Sequence, residues 1–471
     1  MKLFRPAFAF LLLAGALSAA ASPALTLVRD TVADARAFNF PSGKWGASIN
    51  GQTFQQEALV SYRGYQYAAY YAAPGHPAVA RRALPDGAWQ QAVLSDYGPV
   101  RHGNVHNVIV IGIAPSDGSI HLAFDHHAQS LKYRRSIPGV ASDPAKHPWT
   151  PALFGPTRDN LDDGRRIGGV TYPQFFSSSD GVLTFAYRTG GSGNGDWHLR
   201  EYRDSRWHPL GLLFSKAGEY AGKTSRSAYP NPFRYDRNNR LHVTWSWREQ
   251  GSDLTGNHDL AYAYSDDHGR TWHDNAGEFV AALSASDRPA RAISVDNDGT
   301  IALPLRHAWG MMNTTTQFVD GKGRVHVVVW RNPDDAPAAT VDKNRWRYEH
   351  CWRGVDGVWQ RRMLPFKGRK PQIVADDKTG RLHVVFGEND KLNYDGTDPG
   401  VNLAIATAEE RDGWTAWNIQ RPLPKLRFHG EPLLDVGRWE RERVLSVYFQ
   451  QQPSAAGDPA PLHVIDFAPA P

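Results

Sequence analysis

Five histidines fall within RHGNVHNVIVIGIAPSDGSIHLAFDHH, Arg101 to His127. His102 and His106 precede the apolar run VIVIGI, His121 lies inside the next run, and His126 and His127 end it. If the two runs pair as an antiparallel hairpin, the start of the first meets the end of the second, which brings His106 beside His126. Alternation puts Ile120, Leu122, Phe124 and His126 on one face and His121, Asp125 and His127 on the other. The same geometry in GGVTYPQFFSSSDGVLTFAYR sets Tyr172, entering one strand, beside Arg188, leaving the next. Tyr229, in RSAYPNPF, stands just before a further strand. A neutral imidazole takes up a proton near neutral pH. A phenol, with a pKa of about 10, gives one up, and acts as a base only where nearby cations lower that value. A guanidinium grips a carboxylate through two parallel hydrogen bonds. These residue types suit proton transfer beside a bound anion.

The elements that would position them recur along the chain. SDGSIHLAFD, SDGVLTFAYR, RNNRLHVTWSW, GKGRVHVVVW and KTGRLHVVFG each run from a turn into a β-rich strand, with YRGYQYAAYY and RERVLSVYFQ as weaker versions at either end. Taking Tyr67, His121, Thr184, His242, His326, His383 and Ser446 as equivalent, most intervals are 54 to 63 residues and one, His242 to His326, is 84. Repeats of this size in an all-β chain predict radial units, and the count predicts a seven-bladed β-propeller. His121 is then a repeat residue. The long interval holds SDDHGRTW, Ser265 to Trp272, which matches the Asp box of sialidase-like propellers, a turn that signals fold and not chemistry. In a propeller the inner strands converge on a central funnel, so His106, His126, Tyr172, Arg188 and Tyr229 would ring one end of it.

Residues 1–21 read as a signal peptide: Lys2 and Arg5, an apolar run from Ala7 to Leu17, then small residues with cleavage after Ala21. Residues 22–471 are expected to form one catalytic propeller domain, periplasmic or secreted, with no spanning segment and no membrane partner. The single cysteine, Cys351, excludes an internal disulfide, so stability must come from a large core. The formal charge of +5, which loses Lys2 and Arg5 with the signal, is spread without any Lys/Arg run. That argues against a nucleic-acid groove and for a local basic pocket that takes an anionic ligand. The 16 tryptophans and 18 tyrosines suit β-sheet cores and sugar stacking alike.

HNVIVIGIAPSDGSIHLAFDHH, TYPQF, FAYR and SAYPNP resemble the BNR-repeat, seven-bladed polysaccharide lyases that cut ulvan, a sulfated polymer of rhamnose and uronic acid. The resemblance runs over almost the whole mature chain. It implies that Arg188 neutralises a uronate carboxylate, that Tyr172 is the catalytic tyrosine, and that His106 and His126 are the active-site histidines. His127 stands as the neighbour to which the second histidine could shift by one. Tyr229 lines the site. The implied reaction is β-elimination at a 4-linked uronate, in which the arginine stabilises the developing enolate while a base takes the C5 proton and an acid protonates O4. The division of base and acid among Tyr172, His106 and His126 is left open, as are endo or exo action and the polymer itself.

Two other functions remain in view. One is an exo-glycosidase on the same propeller that releases terminal rhamnose from glucuronate; the facing carboxylates a hydrolase ordinarily needs do not stand out. The other is a non-catalytic carbohydrate-binding propeller, which would tolerate the loss of His106 or Tyr172. An anionic polysaccharide is the expected partner and a monomer the expected state. No cofactor is required for the elimination. A structural metal, zinc or calcium, is the one group with candidate ligands. His307, His326, His350 and Cys351 offer zinc donors, although adjacent His350 and Cys351 point to opposite strand faces. DNLDDGRR, Asp159 to Arg166, has carboxylates enough for calcium but reads as a solvated loop. TGGSGNGDW, Thr189 to Trp197, reads as a glycine-rich loop beside Arg188.

Overall fold

All seven repeat points fall at one structural position, the second strand of an antiparallel unit. In the computed structural model, Tyr67 lies in Tyr65–Ala72, His121 in Ile120–Phe124, Thr184 in Leu183–Gly191 and His242 in Leu241–Glu249. His326 lies in Val325–Arg331, His383 in Arg381–Glu388 and Ser446 in Leu445–Gln451. The structure describes residues 24–43, 46–252, 256–285, 291–307, 311, 315–333, 345–389 and 400–470. The proposed signal segment, 1–21, lies outside the described residues.

Each second strand has a first strand on one side and a third on the other. In the third blade the order is Thr171–Ser177, Leu183–Gly191, Asn194–Arg203 and Arg206–Phe214, all antiparallel. The second blade, Ile109–Ile113, Ile120–Phe124 and Tyr133–Arg135, has three strands. Successive blades touch through their inner strands: Leu59–Tyr62 with Ile109–Ile113, that strand with Thr171–Ser177, then Thr316–Val319 with Gln372–Asp376 and Gln372–Asp376 with Phe428–Leu434. The ring closes through Leu25–Ala37, which adds to the last blade by pairing with Ala460–Pro469 and meets the first blade at Ala37 and Ala72. Closure leaves no open inner edge, which is how radial β-folds avoid edge-to-edge association. The architecture is the expected all-β propeller, and its seven antiparallel units agree with the expected blade count.

The repeat histidines are braces. His121, His242 and His383 are buried, and the Nδ1 of each meets a hydroxyl on the third strand of its own blade: Tyr133 Oη at 2.7 Å, Tyr262 Oη at 2.8 Å and Thr407 Oγ1 at 2.9 Å. A buried polar ring is tolerated because it is hydrogen-bonded. Tryptophans fill the core: Trp197, Trp245, Trp247, Trp272, Trp330, Trp346 and Trp439 are wholly buried, so they are not sugar platforms. The Asp box behaves as its pattern predicts. Ser265 Oγ accepts from Gly269 N, Asp267 Oδ1 accepts from Thr271 N, and Trp272 packs beneath.

One buried irregular segment positions the site. Residues 47–56 pack against the first, second and last blades, and Ile49, Asn50, Thr53 and Gln55 are fully buried. Loop backbone buried this way needs partners. Asn50 Oδ1 accepts from Tyr71 N, Gln55 Nε2 donates to the Ile109 carbonyl at 3.0 Å, and Thr53 N donates to Glu431 at 2.6 Å. Gly51 has φ 92°, and a Cβ there would come within 2.8 Å of the Glu431 carbonyl oxygen. Only glycine fits both constraints. No helix among the described residues is long and apolar enough to cross a membrane, which does not bear on strand-built membrane proteins.

Candidate active site

Segment 47–56 presents Phe54 to His106, and the two rings stack at 4.9 Å between centroids with 7° between planes. On its other face His106 stacks on His127 at 4.3 Å and 9°. Tyr172 lies 6.0 Å from His106 and 5.4 Å from Phe54. Tyr229 follows at 5.8 Å from Tyr172. The Arg188 guanidinium carbon lies 4.9 Å from the Tyr172 ring centre and 5.4 Å from that of Tyr229. The structure therefore brings His106, Tyr172, Arg188 and Tyr229 together from three blades.

His126 does not join them, and His127 stands beside His106 in the place expected for His126. The strand stops at Phe124, and Asp125, with φ 56°, turns the chain, as does Ala128 with φ 57°. Strand alternation lapses at Asp125, so the face assigned by counting no longer holds beyond it. His126 is fully buried, its Nε2 accepting from Lys132 N at 2.6 Å, and it braces the loop. His102 meets Asp125 Oδ1 at 3.0 Å, outside the ring stack.

Tyr172 is placed by a β-bulge. Gln174 pairs with Ala186 but Thr171 pairs with Arg188, leaving Tyr172 and Pro173 opposite Tyr187 alone. Tyr172 has φ 53°, a strained value for an aromatic residue. Bulges of this kind re-aim a side chain near active sites, and here the result is a phenol turned toward Arg188.

Arg188 is 1% exposed, and its Nε and Nη1 are buried without a hydrogen bond. Unspent guanidinium donors in a buried position are costly and call for a partner. Around it the charge is positive. Burial, then His127, Lys370, Arg188 and Arg248 hold His106 well below the ordinary imidazole range. Burial and Arg188 bring His127 down to about 4. Both rings are neutral at pH 7. Burial, reinforced by Tyr229, pushes Tyr172 up and keeps it a phenol. Burial also acts to raise Tyr229, but Arg248, Arg188 and the Ser192 hydroxyl outweigh it and the net direction is down.

Five residues that matter here went unread in the sequence. Phe54 carries no motif. Asn104 contacts both stacked histidines. Ser192, from the glycine-rich loop, reaches Tyr229 Oη at 3.1 Å, so that loop does face the site. Arg248 lies 4.5 Å from the Tyr229 ring centre, with Nη1 3.3 Å from the hydroxyl and Nε donating to Asn257 at 2.7 Å. Lys370 sits 5.5 Å over the Phe54 ring. The rule that found Arg188, an arginine leaving the second strand of its blade, finds Arg248 when applied to the next blade.

The proposed metal ligands do not assemble. His326 Nδ1 and His350 Nε2 hydrogen-bond at 3.0 Å, while Cys351 packs into the apolar cluster with Val325 and Val327. His307 lies 6.4 Å from Tyr220 and from His258, ring to ring. In the Asp159–Arg166 loop the carboxylates are taken by Arg158, Arg135, Arg200 and Arg166. Among the described residues, no group of three or more His, Cys, Asp or Glu side chains is arranged to hold a metal ion.

Comparison with known proteins bears on the fold and the family. An ulvan lyase, long isoform, from Alteromonas sp. (strain LOR) is 26% identical over 358 residues, covering 66% of this chain and 34% of that protein. This chain thus spans about a third of the length of that curated relative. Among solved structures, the polysaccharide lyase Uly1 superposes with a TM-score of 0.67 at 18% identity, over 94% of this chain and 99% of that one. A PL25 ulvan lyase bound to -[GlcA(1-4)Rha3S]- gives 0.64 at 13% identity, over 92% and 95%. At such identities these two structures establish the propeller fold. A profile described as a BNR repeat-containing family member matches residues 65–366, well over half of the sequence, and the chain accordingly belongs to the BNR repeat-containing family.

Proposed function

We propose that this chain is a polysaccharide lyase that cleaves a 4-linked, uronate-containing polymer of the rhamnose/glucuronate, ulvan-like kind by β-elimination. The observation that carries the reading is Arg188, buried with two unspent donors between two phenols and beside a neutral histidine pair. The C5 proton of a uronate is weakly acidic because its carboxylate resists further negative charge. A guanidinium on that carboxylate stabilises the developing enolate, an effect worth about 10²–10³ in rate for a well-placed donor. The C5–H electron pair becomes the C4=C5 bond, the C4–O4 pair leaves on oxygen, and O4 takes a proton. Tyr172, held protonated by burial, supplies that proton, and the neutral histidine pair supplies the base. Arg248 and Lys370 add positive charge that draws an anionic polymer in. The identity of the curated relatives supports the same substrate class.

Periplasmic or secreted placement rests on residues 1–21, and a monomer is proposed with it. The test is ultraviolet absorbance during incubation with ulvan and with rhamnose–glucuronate polysaccharides, wild type beside His106→Ala and Arg188→Ala. A rise from the conjugated uronate, lost in both variants, is the expected result. Rhamnose release without that rise would replace the lyase by a hydrolase, and binding without any product would leave a carbohydrate-binding propeller.

A further inference from the structure

Two stacked imidazoles share one amide. Asn104 Oδ1 accepts from the backbone N–H of His106 at 3.1 Å. That donor is fixed, so the amide cannot be turned round without setting its NH2 group against an N–H. The same Oδ1 lies 3.1 Å from His106 Nδ1, and Asn104 Nδ2 lies 2.8 Å from His127 Nδ1. An oxygen needs a proton on the nitrogen it faces, and an NH2 group needs a bare one. We propose that Asn104 is a positioning residue that fixes the two histidines as opposite tautomers, leaving His106 a lone pair on Nε2 and His127 a proton on Nε2.

The two rings are 4.3 Å apart and nearly parallel, so they look interchangeable; the amide makes them different. Both are neutral, since burial beside Arg188 disfavours a second cation. A neutral ring whose Nδ1 is protonated can take a proton only at Nε2. A ring whose Nδ1 already accepts the amide and whose Nε2 carries the proton can only donate there. In the elimination, which rests on the lyase reading, His106 Nε2 is then the ring nitrogen able to receive the C5 proton. His127 keeps its proton and donates a hydrogen bond. Tyr172 protonates O4. Each later returns to its starting state by exchange with solvent.

The test is nitrogen-15 NMR of histidine-labelled protein, with the two rings assigned by the signals lost in His106→Gln and His127→Gln. The expected wild-type spectrum has His106 protonated on Nδ1 and bare on Nε2, and His127 the reverse. Asn104→Asp replaces the NH2 group with an acceptor, so His127 must bring a proton to Nδ1, while the lyase rate falls about 10²-fold, a typical general acid–base contribution, and melting stays close to wild type. Asn104→Ala releases both rings into tautomer mixtures. Like tautomers in the wild type, tautomers unmoved by Asn104→Asp, or an unchanged rate despite moved tautomers would each overturn the proposal. If wild type makes no unsaturated uronate from any of the polymers, the lyase reading fails, while the spectra still decide the tautomers.

Discussion

Replacing Arg248 by glutamine should raise the pH at which Tyr229 ionises. Arg248 Nη1 stands 3.3 Å from Tyr229 Oη, and Arg188 lies 5.4 Å from the same ring. Ser192 Oγ is 3.1 Å from the hydroxyl, and Tyr172 is the neighbouring phenol. A charge pair at Arg248's distance is worth about 5 kcal/mol at an effective permittivity of about 20. Arg248 is partly exposed and also holds Asn257, so less of this reaches the phenolate. The expected change is about 1 to 3 pH units, at about 1.4 kcal/mol for each. Removing a cation removes the preference for the anion, so the titration moves up. The two phenols titrate as a pair, and the first proton to leave is that of Tyr229. The assay is phenolate ultraviolet absorbance against pH, with the Tyr229→Phe spectrum subtracted. Wild type should show a tyrosine ionising below the ordinary range, and Arg248→Gln should move it upward. An unmoved titration in Arg248→Gln would refute the claim that the second arginine governs Tyr229.

Arg188→Ala should cut kcat/KM for ulvan about 10³-fold and Arg188→Lys less, because lysine keeps the charge but loses the bidentate fork; equal losses would argue against carboxylate capture. His127→Gln should abolish most of the unsaturated product, whereas His126→Leu should lower stability by about 1–3 kcal/mol by orphaning Lys132 N, with the activity of the folded fraction kept; the reverse pattern, read by rate and thermal melting, would put His126 back in the site. Activity should lack an acid limb near pH 6.5, since His127 ionises only at about 4 and burial holds His106 well below the ordinary imidazole range; a pH–rate profile falling by half near 6.5 would contradict this. Stability should fall as pH drops from about 6.5 toward 4, because buried His383, also brought down to about 4 by burial, refuses the proton the unfolded chain accepts. Each such histidine contributes about 1.4 kcal/mol per pH unit over that window, and His258, held upward between Asp259 and Glu249 despite its burial, opposes the trend. Melting temperatures equal at pH 7 and pH 5 would count against it.

The repeat was written in the chain because each blade solves the same packing problem locally. A turn and a strand, with a histidine at the same point in four of the seven units, recur where a second strand must lie between two others, and such patterns survive reading one unit at a time. That was enough for the all-β propeller, the Asp box and the strand ends where Tyr172, Arg188 and Tyr229 belong. The 84-residue interval, longer than the others in the sequence, holds the extra strands Phe279–Ala282 and Ile301–Leu303.

Tertiary structure decided what backbone dihedrals and distant chain contribute. Pairing of strand ends set His126 beside His106, and one left-handed residue past the strand, Asp125, gave that place to His127. Nothing local announces a left-handed aspartate, because its cost is met by the Tyr97 hydroxyl and by His102 and Asn107, which hold its carboxylate. Phe54 and Lys370 come from segments with no repeat signature; the fold stacks Phe54 on His106 and sets Lys370 over the Phe54 ring. The residue types of the site belong to the sequence. Their protonation states belong to the fold, because burial and the cations gathered from separate blades set them, and no single blade contains both.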